Sequence, residues 1–204
     1  MSQSFKLNLF NRWAPTYDWL LPSVFYQAVH QRLLECIWLP ETAHVLDLGC
    51  GTGKLLNRLA NQYPQLTGTG LDFSPEMLQK AQQNSVAPDR LTYVHGTTDQ
   101  IPLPDSQFDA VFCTISFLHY SAPVTVLTEI HRALKPGGLF YLADYTPSKL
   151  SGKDTVTTPT GDLRFYNQTA REDLGKQAAL LTEAHYYLLG PIVLTIFAKP
   201  ADIL

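Results

Sequence analysis

The run Val45-Leu46-Asp47-Leu48-Gly49-Cys50-Gly51-Thr52-Gly53 constrains this chain more than any other segment. A short apolar stretch, His44 to Leu48, leads straight into three alternate glycines, and helix-forming residues follow from Lys54 to Asn61. A near-continuous apolar run of this length is the pattern of a strand buried on both faces. Alternate glycines allow a tight turn and keep side chains out of the path of a ligand. The turn also delivers the chain to a helix N-terminus, where unpaired N–H groups and the helix dipole favour polar or anionic ligand groups. The dinucleotide fingerprint G-x-G-x-x-G is not met. The third glycine arrives one residue early and Lys54 stands in its place, which disfavours a nicotinamide dinucleotide and favours another nucleotide-like ligand.

The pattern repeats along the chain. Leu66 to Asp72 predicts a second strand, and Ser74 an N-cap with Pro75 at the first helical position and a helix to about Asn84. Leu91 to His95 and Ala110 to Ser116 predict the third and fourth strands. A helix over Val124 to Leu134 is expected to stop at Lys135-Pro136-Gly137-Gly138, before a fifth strand from Leu139 to Asp144. Alternating strand and helix implies a mostly parallel sheet with helices on both faces. The ends differ. Val24 to Leu39 predicts a helix after Pro22. Thr169 to Leu181 predicts another, followed by His185–Leu189 and Ile192–Ala198 joined by Gly190-Pro191, an antiparallel hairpin closing one sheet edge. The expected fold is therefore α/β, a Rossmann-like doubly wound sheet of seven strands. One domain over residues 1–204 is expected, comprising a helical lid (1–40), a core (43–145), a polar loop (146–168), and a closing helix and hairpin (169–204).

Composition narrows the function. A formal net charge of −3 argues against a broad basic surface for nucleic acid or anionic lipid. The N-terminus has no secretory pattern, and no stretch reaches the roughly 18 apolar residues of a membrane-spanning helix. Three widely spaced cysteines and six scattered histidines offer neither a disulfide framework nor a metal-ligand cluster. A cytoplasmic protein without a metal is expected.

VLDLGCGTG resembles the cofactor motif of the class I S-adenosylmethionine (SAM) dependent methyltransferases, and further motifs follow in order over about residues 43–145. Asp72, ending the second strand, matches the acid that grips both ribose hydroxyls, since one carboxylate can accept from two vicinal hydroxyls. Leu103 to Val111 is similar to the family's segment entering the fourth strand, and Arg132 to Leu139 to its turn before the fifth. The subgroup resembled is that of the ubiquinone/menaquinone-type C-methyltransferases (methyltransferase type 11). Asn11 to Asp18 looks like its cofactor-covering segment. The pattern departs at one place. The family's acid after the glycine ending the third strand is replaced by Thr97 and Thr98, with Asp99 displaced, so adenine is held either by backbone near Thr98 or by Asp99.

The resemblance implies a cofactor site of Tyr17, Asp47, Gly49, Cys50, Gly51, Gly53, Asp72, Phe73, Met77, Thr97, Thr98, Asp99 and Thr114. Asp47 either orients the methionine ammonium or buttresses the loop. His119, after the fourth strand, is either a general base or a structural histidine, and Asp144 has a similar position. Phe165 and Tyr166 are candidate walls of an acceptor pocket. The implied activity is methyl transfer from SAM to a small-molecule acceptor. The segment before the terminal hairpin is shorter than in quinone enzymes, which weighs against a bulky prenylated acceptor. The alternatives are a SAM-binding regulatory subunit, a SAM-fold enzyme of other chemistry such as aminopropyl transfer, and a nicotinamide-dependent oxidoreductase. An RNA acceptor is disfavoured by the acidic balance.

Overall fold

The computed structural model describes residues 20–146, 154–158 and 161–201. Residues 1–19 of the expected lid, with Tyr17, lie outside them. Helix α1 (Leu20–Leu34) leads to strand β1 (His44–Leu48), α2 (Lys54–Gln62), β2 (Thr67–Asp72), α3 (Pro75–Gln83), β3 (Leu91–His95) and β4 (Phe108–Thr114). A 3₁₀ turn (Phe117–His119), α4 (Pro123–Ala133), β5 (Leu134–Tyr145), β6 (Thr155–Thr158), β7 (Gly161–Arg164), α5 (Gln168–Gln177), β8 (Leu181–Leu189) and β9 (Ile192–Ala198) follow.

Seven strands form one sheet in the order β3-β2-β1-β4-β5-β9-β8. The first five pair in parallel, β1 with β2 and β4, β2 with β3, and β4 with β5. Strand β9 runs antiparallel between β5 and β8. The central strand β1 is buried along almost its whole length, as its apolar run requires. From β1 the chain winds one way to β2 and β3, then returns to β4 and β5 on the other side. Open α/β sheets bind ligands at such a reversal, outside the carboxyl ends of the strands. Here that crevice lies beyond Leu48 and Thr114.

Two apolar layers flank the sheet. On one side Val29 and Leu33 of α1 and Leu55, Leu56 and Leu59 of α2 pack with Val45, Phe112 and Tyr141. On the other, Val126, Leu127 and Ile130 of α4 pack with Leu46, Val111, Phe140 and Phe197. Burying each such side chain contributes about 1.5–3 kcal/mol.

Several boundaries differ from the sequence expectation, among them β8, which begins at Leu181 rather than His185, and β4, which spans Phe108–Thr114 rather than Ala110 to Ser116. Helix α1 spans Leu20–Leu34 rather than Val24 to Leu39. Pro22 falls in its first turn, where no N–H partner is needed. Its C-terminal end comes early because Trp38 exchanges two hydrogen bonds with the Tyr141 hydroxyl, at 3.3 and 3.1 Å, and Pro40 bars helix at Leu39. Helix α5 stops at Gln177, not Leu181. Ala179 takes a left-handed φ of 57°, and Leu180 N–H donates to Gly175 O at 2.9 Å. The usual glycine signal for such a helix end is missing there. Strand β5 absorbs Lys135-Pro136-Gly137-Gly138 as an irregularity, its pairing jumping from Phe108↔Leu134 to Ala110↔Leu139. Finally, the polar segment 146–168 contains an antiparallel pair, β6–β7.

Candidate functional site

Strand β1 ends in the glycine loop, and the sheet holds that loop by its backbone. Gly49 N–H and Cys50 N–H both donate to Leu71 O of β2, at 2.8 and 3.1 Å. Gly49 has φ +67°, and a Cβ there would meet Ser116 Oγ at 2.8 Å. Ser116 Oγ is fixed in turn, donating to Leu48 O at 3.2 Å and lying 2.9 Å from the Tyr120 hydroxyl. Gly51 also has a left-handed φ, +53°, yet a Cβ there would meet nothing within 4 Å. Gly49 is thus needed for packing and conformation, whereas Gly51 leaves open space beside the loop. Gly53 caps α2 with φ 76° and no side-chain hydrogen bond, so side chains leave the helix's first amides for water or a ligand.

Two carboxyls flank this loop. Asp47, on β1, is 2% exposed, and burial, with the nearby Asp72, pushes its pKa up to about 8. Asp72, ending β2, accepts from Gly51 N–H through Oδ2 and from Ser74 N–H through Oδ1, both at 2.9 Å. Burial raises its pKa, while those backbone donors pull the other way. Ser74 Oγ accepts from Met77 N–H at 3.2 Å, the N-cap that the Ser-Pro sequence predicts. Phe73 is half-buried and Met77 buried beside them. A small cleft of about 60 Å³ opens along Asp47, Gly49, Cys50, Gly51 and Thr114, with Tyr26 and His30 of α1 as its other wall.

The remaining expected residues are scattered around this core. Thr97 bridges to Gln100, so Thr98 and Asp99 form the tip of a turn after β3, with Asp99 exposed. His119 closes the 3₁₀ turn and does not line the cleft. Asp144 is also outside its lining. The Asp144 carboxylate accepts from Leu118 N–H at 2.9 Å and Tyr145 N–H at 2.7 Å, so it fixes the turn that carries His119. Burial lifts its pKa to about 6 against the opposing charge of Arg171. Tyr17 lies outside the described residues. Phe165 stacks edge-on with Tyr145, and Tyr166 with Phe117. Both border an open cavity of about 600 Å³ between β6–β7 and α5, together with Asp154, Asp162 and Arg164.

Three features escaped the sequence. His30 and Tyr26 join the cleft although α1 reads only as an apolar helix; the available signal was a histidine between the core residues Val29 and Leu33. Ile115, just after β4, holds a left-handed φ of 50°, a strained state for a β-branched residue. Arg171 is 2% exposed and donates to Tyr166 O, Val193 O, Thr195 Oγ1, Asp144 O and Tyr145 O. It ties α5 to β5 and β9. Among the described residues no helix is long and apolar enough to cross a membrane, and no cluster of His, Cys, Asp or Glu is placed to hold a metal. The three cysteines are free thiols.

Known proteins share this architecture. The family described as a methyltransferase domain matches residues 46–142. A demethylmenaquinone methyltransferase of Chlamydia trachomatis is 32% identical over 206 aligned positions, covering 90% of this chain and 87% of the relative. An uncharacterized methyltransferase of Synechocystis is 33% identical over 67% of each chain. Among solved structures, a methyltransferase in complex with the Haloferax volcanii Trm112 methyltransferase activator superposes with a TM-score of 0.82 at 23% identity, over 94% of this chain and 97% of that one. A SAM-dependent methyltransferase from Aquifex aeolicus gives 0.70 at 21% identity, over 83% and 89%.

Proposed function

The chain belongs to the class I SAM-dependent methyltransferases, and from that premise we propose that it binds SAM at the glycine-loop cleft and transfers its methyl group to a small-molecule acceptor. The observation that carries this reading is the junction of β1 and β2. There a loop with open space beside Gly51 lies between the buried carboxyls of Asp47 and Asp72. These residues suit the cofactor's polar groups. Asp72 accepts from the ribose hydroxyls with the lone pairs that Gly51 and Ser74 leave over. Asp47 accepts from the amino-acid ammonium, and the Thr97–Asp99 turn borders the adenine.

When bound, the sulfonium supplies an electrophilic methyl group. The protein's part is then to bind, align and exclude water, and such positioning contributes roughly 7–11 kcal/mol in favourable cases. Asp144 holds the 3₁₀ turn, which sets His119 at the carboxyl edge of the sheet. From there His119 takes a proton if the acceptor must lose one. The β6–β7 pair, with Phe165 and Tyr166, walls the acceptor side.

Titration with S-adenosylhomocysteine, SAM and NADH tests the cofactor, and transfer of labelled methyl to an acceptor panel tests the reaction. Demethylmenaquinone heads that panel because relatives carry its name. Binding of both sulfur ligands with transfer to any small acceptor supports the proposal. NADH binding without either sulfur ligand would overturn it. A second reading, an enzyme that needs an activating partner, is favoured by the neighbour solved with the Trm112 activator. Ligand binding with no turnover until such a partner is added would select it.

A further inference from the structure

His30 has a chemical problem that the rest of the cleft can solve. It sits on the buried face of α1, 7% exposed, beside Val29. Its Nδ1 is buried with no hydrogen-bond partner among the described residues. Leaving such an atom unmatched costs stability, and an orphan of this kind at a cleft wall points to a ligand. A second buried donor, Arg58 Nε, is also unmatched among the described residues. Arg58 lies one helical turn beyond Lys54 on α2, and both act electrostatically on His30. Burial and those two cations lower the histidine's pKa to about 3, so the ring is neutral and keeps one N–H donor at working pH.

Position says which part of a ligand meets this corner. Asp72 marks the β2 side of the loop. His30 lines the cleft with Asp47 and Thr114, toward β1 and β4 and away from β3. The cleft therefore presents one carboxyl, at Asp47, and a corner where the Lys54 cation sits beside the neutral donor of His30. That pairing matches a zwitterionic α-amino acid, whose ammonium and carboxylate need opposite partners.

We propose that His30 is a cofactor-binding residue, donating from Nδ1 to the carboxylate of the cofactor's amino-acid end, so that α1 forms part of the site. The inference rests on the reading that this cleft takes SAM. It is tested by equilibrium titration of the full chain with S-adenosylhomocysteine and with 5′-methylthioadenosine, which keeps the nucleoside and thioether but lacks the amino-acid end. In His30→Ala, affinity for S-adenosylhomocysteine falls at least about ten-fold, the loss of one charge-assisted hydrogen bond. Affinity for 5′-methylthioadenosine stays unchanged, and His30→Asn recovers part of the loss. Unchanged binding of S-adenosylhomocysteine, or an equal loss for both ligands, overturns the proposal. Should the Ala variant not fold, ¹⁵N-histidine spectra of the wild type decide. The Nδ1 signal of His30 moves with S-adenosylhomocysteine and not with 5′-methylthioadenosine, and equal responses refute it. A wild-type chain that binds neither ligand removes the SAM reading itself, an outcome separate from either variant result.

Discussion

The carboxylate of Asp72 accepts a hydrogen bond from Gly51 N–H at 2.9 Å, joining the end of β2 to the middle of the glycine loop. One side chain thereby serves two purposes. It shapes the loop that meets the ligand, and its remaining lone pairs face the ribose in the proposed complex.

This makes Asp72→Ala an ambiguous probe. It strands the amides of Gly51 and Ser74 and lowers stability by about 2–4 kcal/mol. Asp72→Asn keeps one carbonyl acceptor and loses less. Both variants are expected to bind S-adenosylhomocysteine at least about ten-fold more weakly, read by calorimetry beside thermal unfolding. Wild-type affinity in a folded Asp72→Asn would remove Asp72 from the site.

Asp47 predicts a dependence on pH. Its folded-state pKa is about 8 against an ordinary 3.8, from burial first and the Asp72 charge second. Between those values the folded chain keeps a proton that the unfolded chain releases, so the carboxyl costs stability as pH rises through that window. Asp47→Asn should gain on wild type in melting temperature from pH 5 to pH 8. Ligand affinity moves oppositely. Accepting an ammonium requires an ionised Asp47, so wild-type binding tightens toward pH 8 and the variant's stays flat. His30 and Lys54 share the cleft, which makes the difference between variants the quantity to measure. Parallel melting curves across that range would rule the account out.

Two glycines separate packing from binding. Gly49→Ala drives a methyl group into Ser116, 2.8 Å from its Oγ, and should lower stability by more than the roughly 1–2 kcal/mol that the left-handed φ costs alone. Gly51→Ala bears only that backbone cost. It is expected to fold, melt within a few degrees of wild type and lose S-adenosylhomocysteine binding. Retained affinity in Gly51→Ala would show that the open space is not where the ligand lies.

Arg171 is a structural linchpin away from the cleft. Replacing it with Met leaves five oxygens short of a donor, among them Asp144 O and Val193 O. A loss of about 3–5 kcal/mol is expected, similar to breaking a buried ionic network. Arg171→Lys keeps the charge but not the planar fork, and should recover only part of it. A denaturant midpoint unchanged in the Met variant would contradict this.

What the sequence determined by itself was local. Val45 to Gly53 specified a buried strand, a turn with left-handed backbone and a helix, because apolar runs and alternate glycines act over a few residues. Ser74-Pro75 specified the next helix start, and its N-cap bond formed as expected. The hairpin at Gly190-Pro191 followed from two apolar runs about a turn. Tertiary structure decided which side chains share a space. It brought His30, from a helix before β1, into one cleft with Asp47 and Thr114, a meeting that no spacing along the chain encodes. It placed Arg171 under Asp144 and Val193, where five acceptors compensate a buried charge that an isolated helix would turn to solvent. It ended α5 at Gln177 without a glycine, the chain turning through a left-handed Ala179 while Leu180 N–H returns to Gly175 O. Strand, turn and cap follow from short-range sterics and hydrogen bonding, whereas the site forms only when separate elements pack.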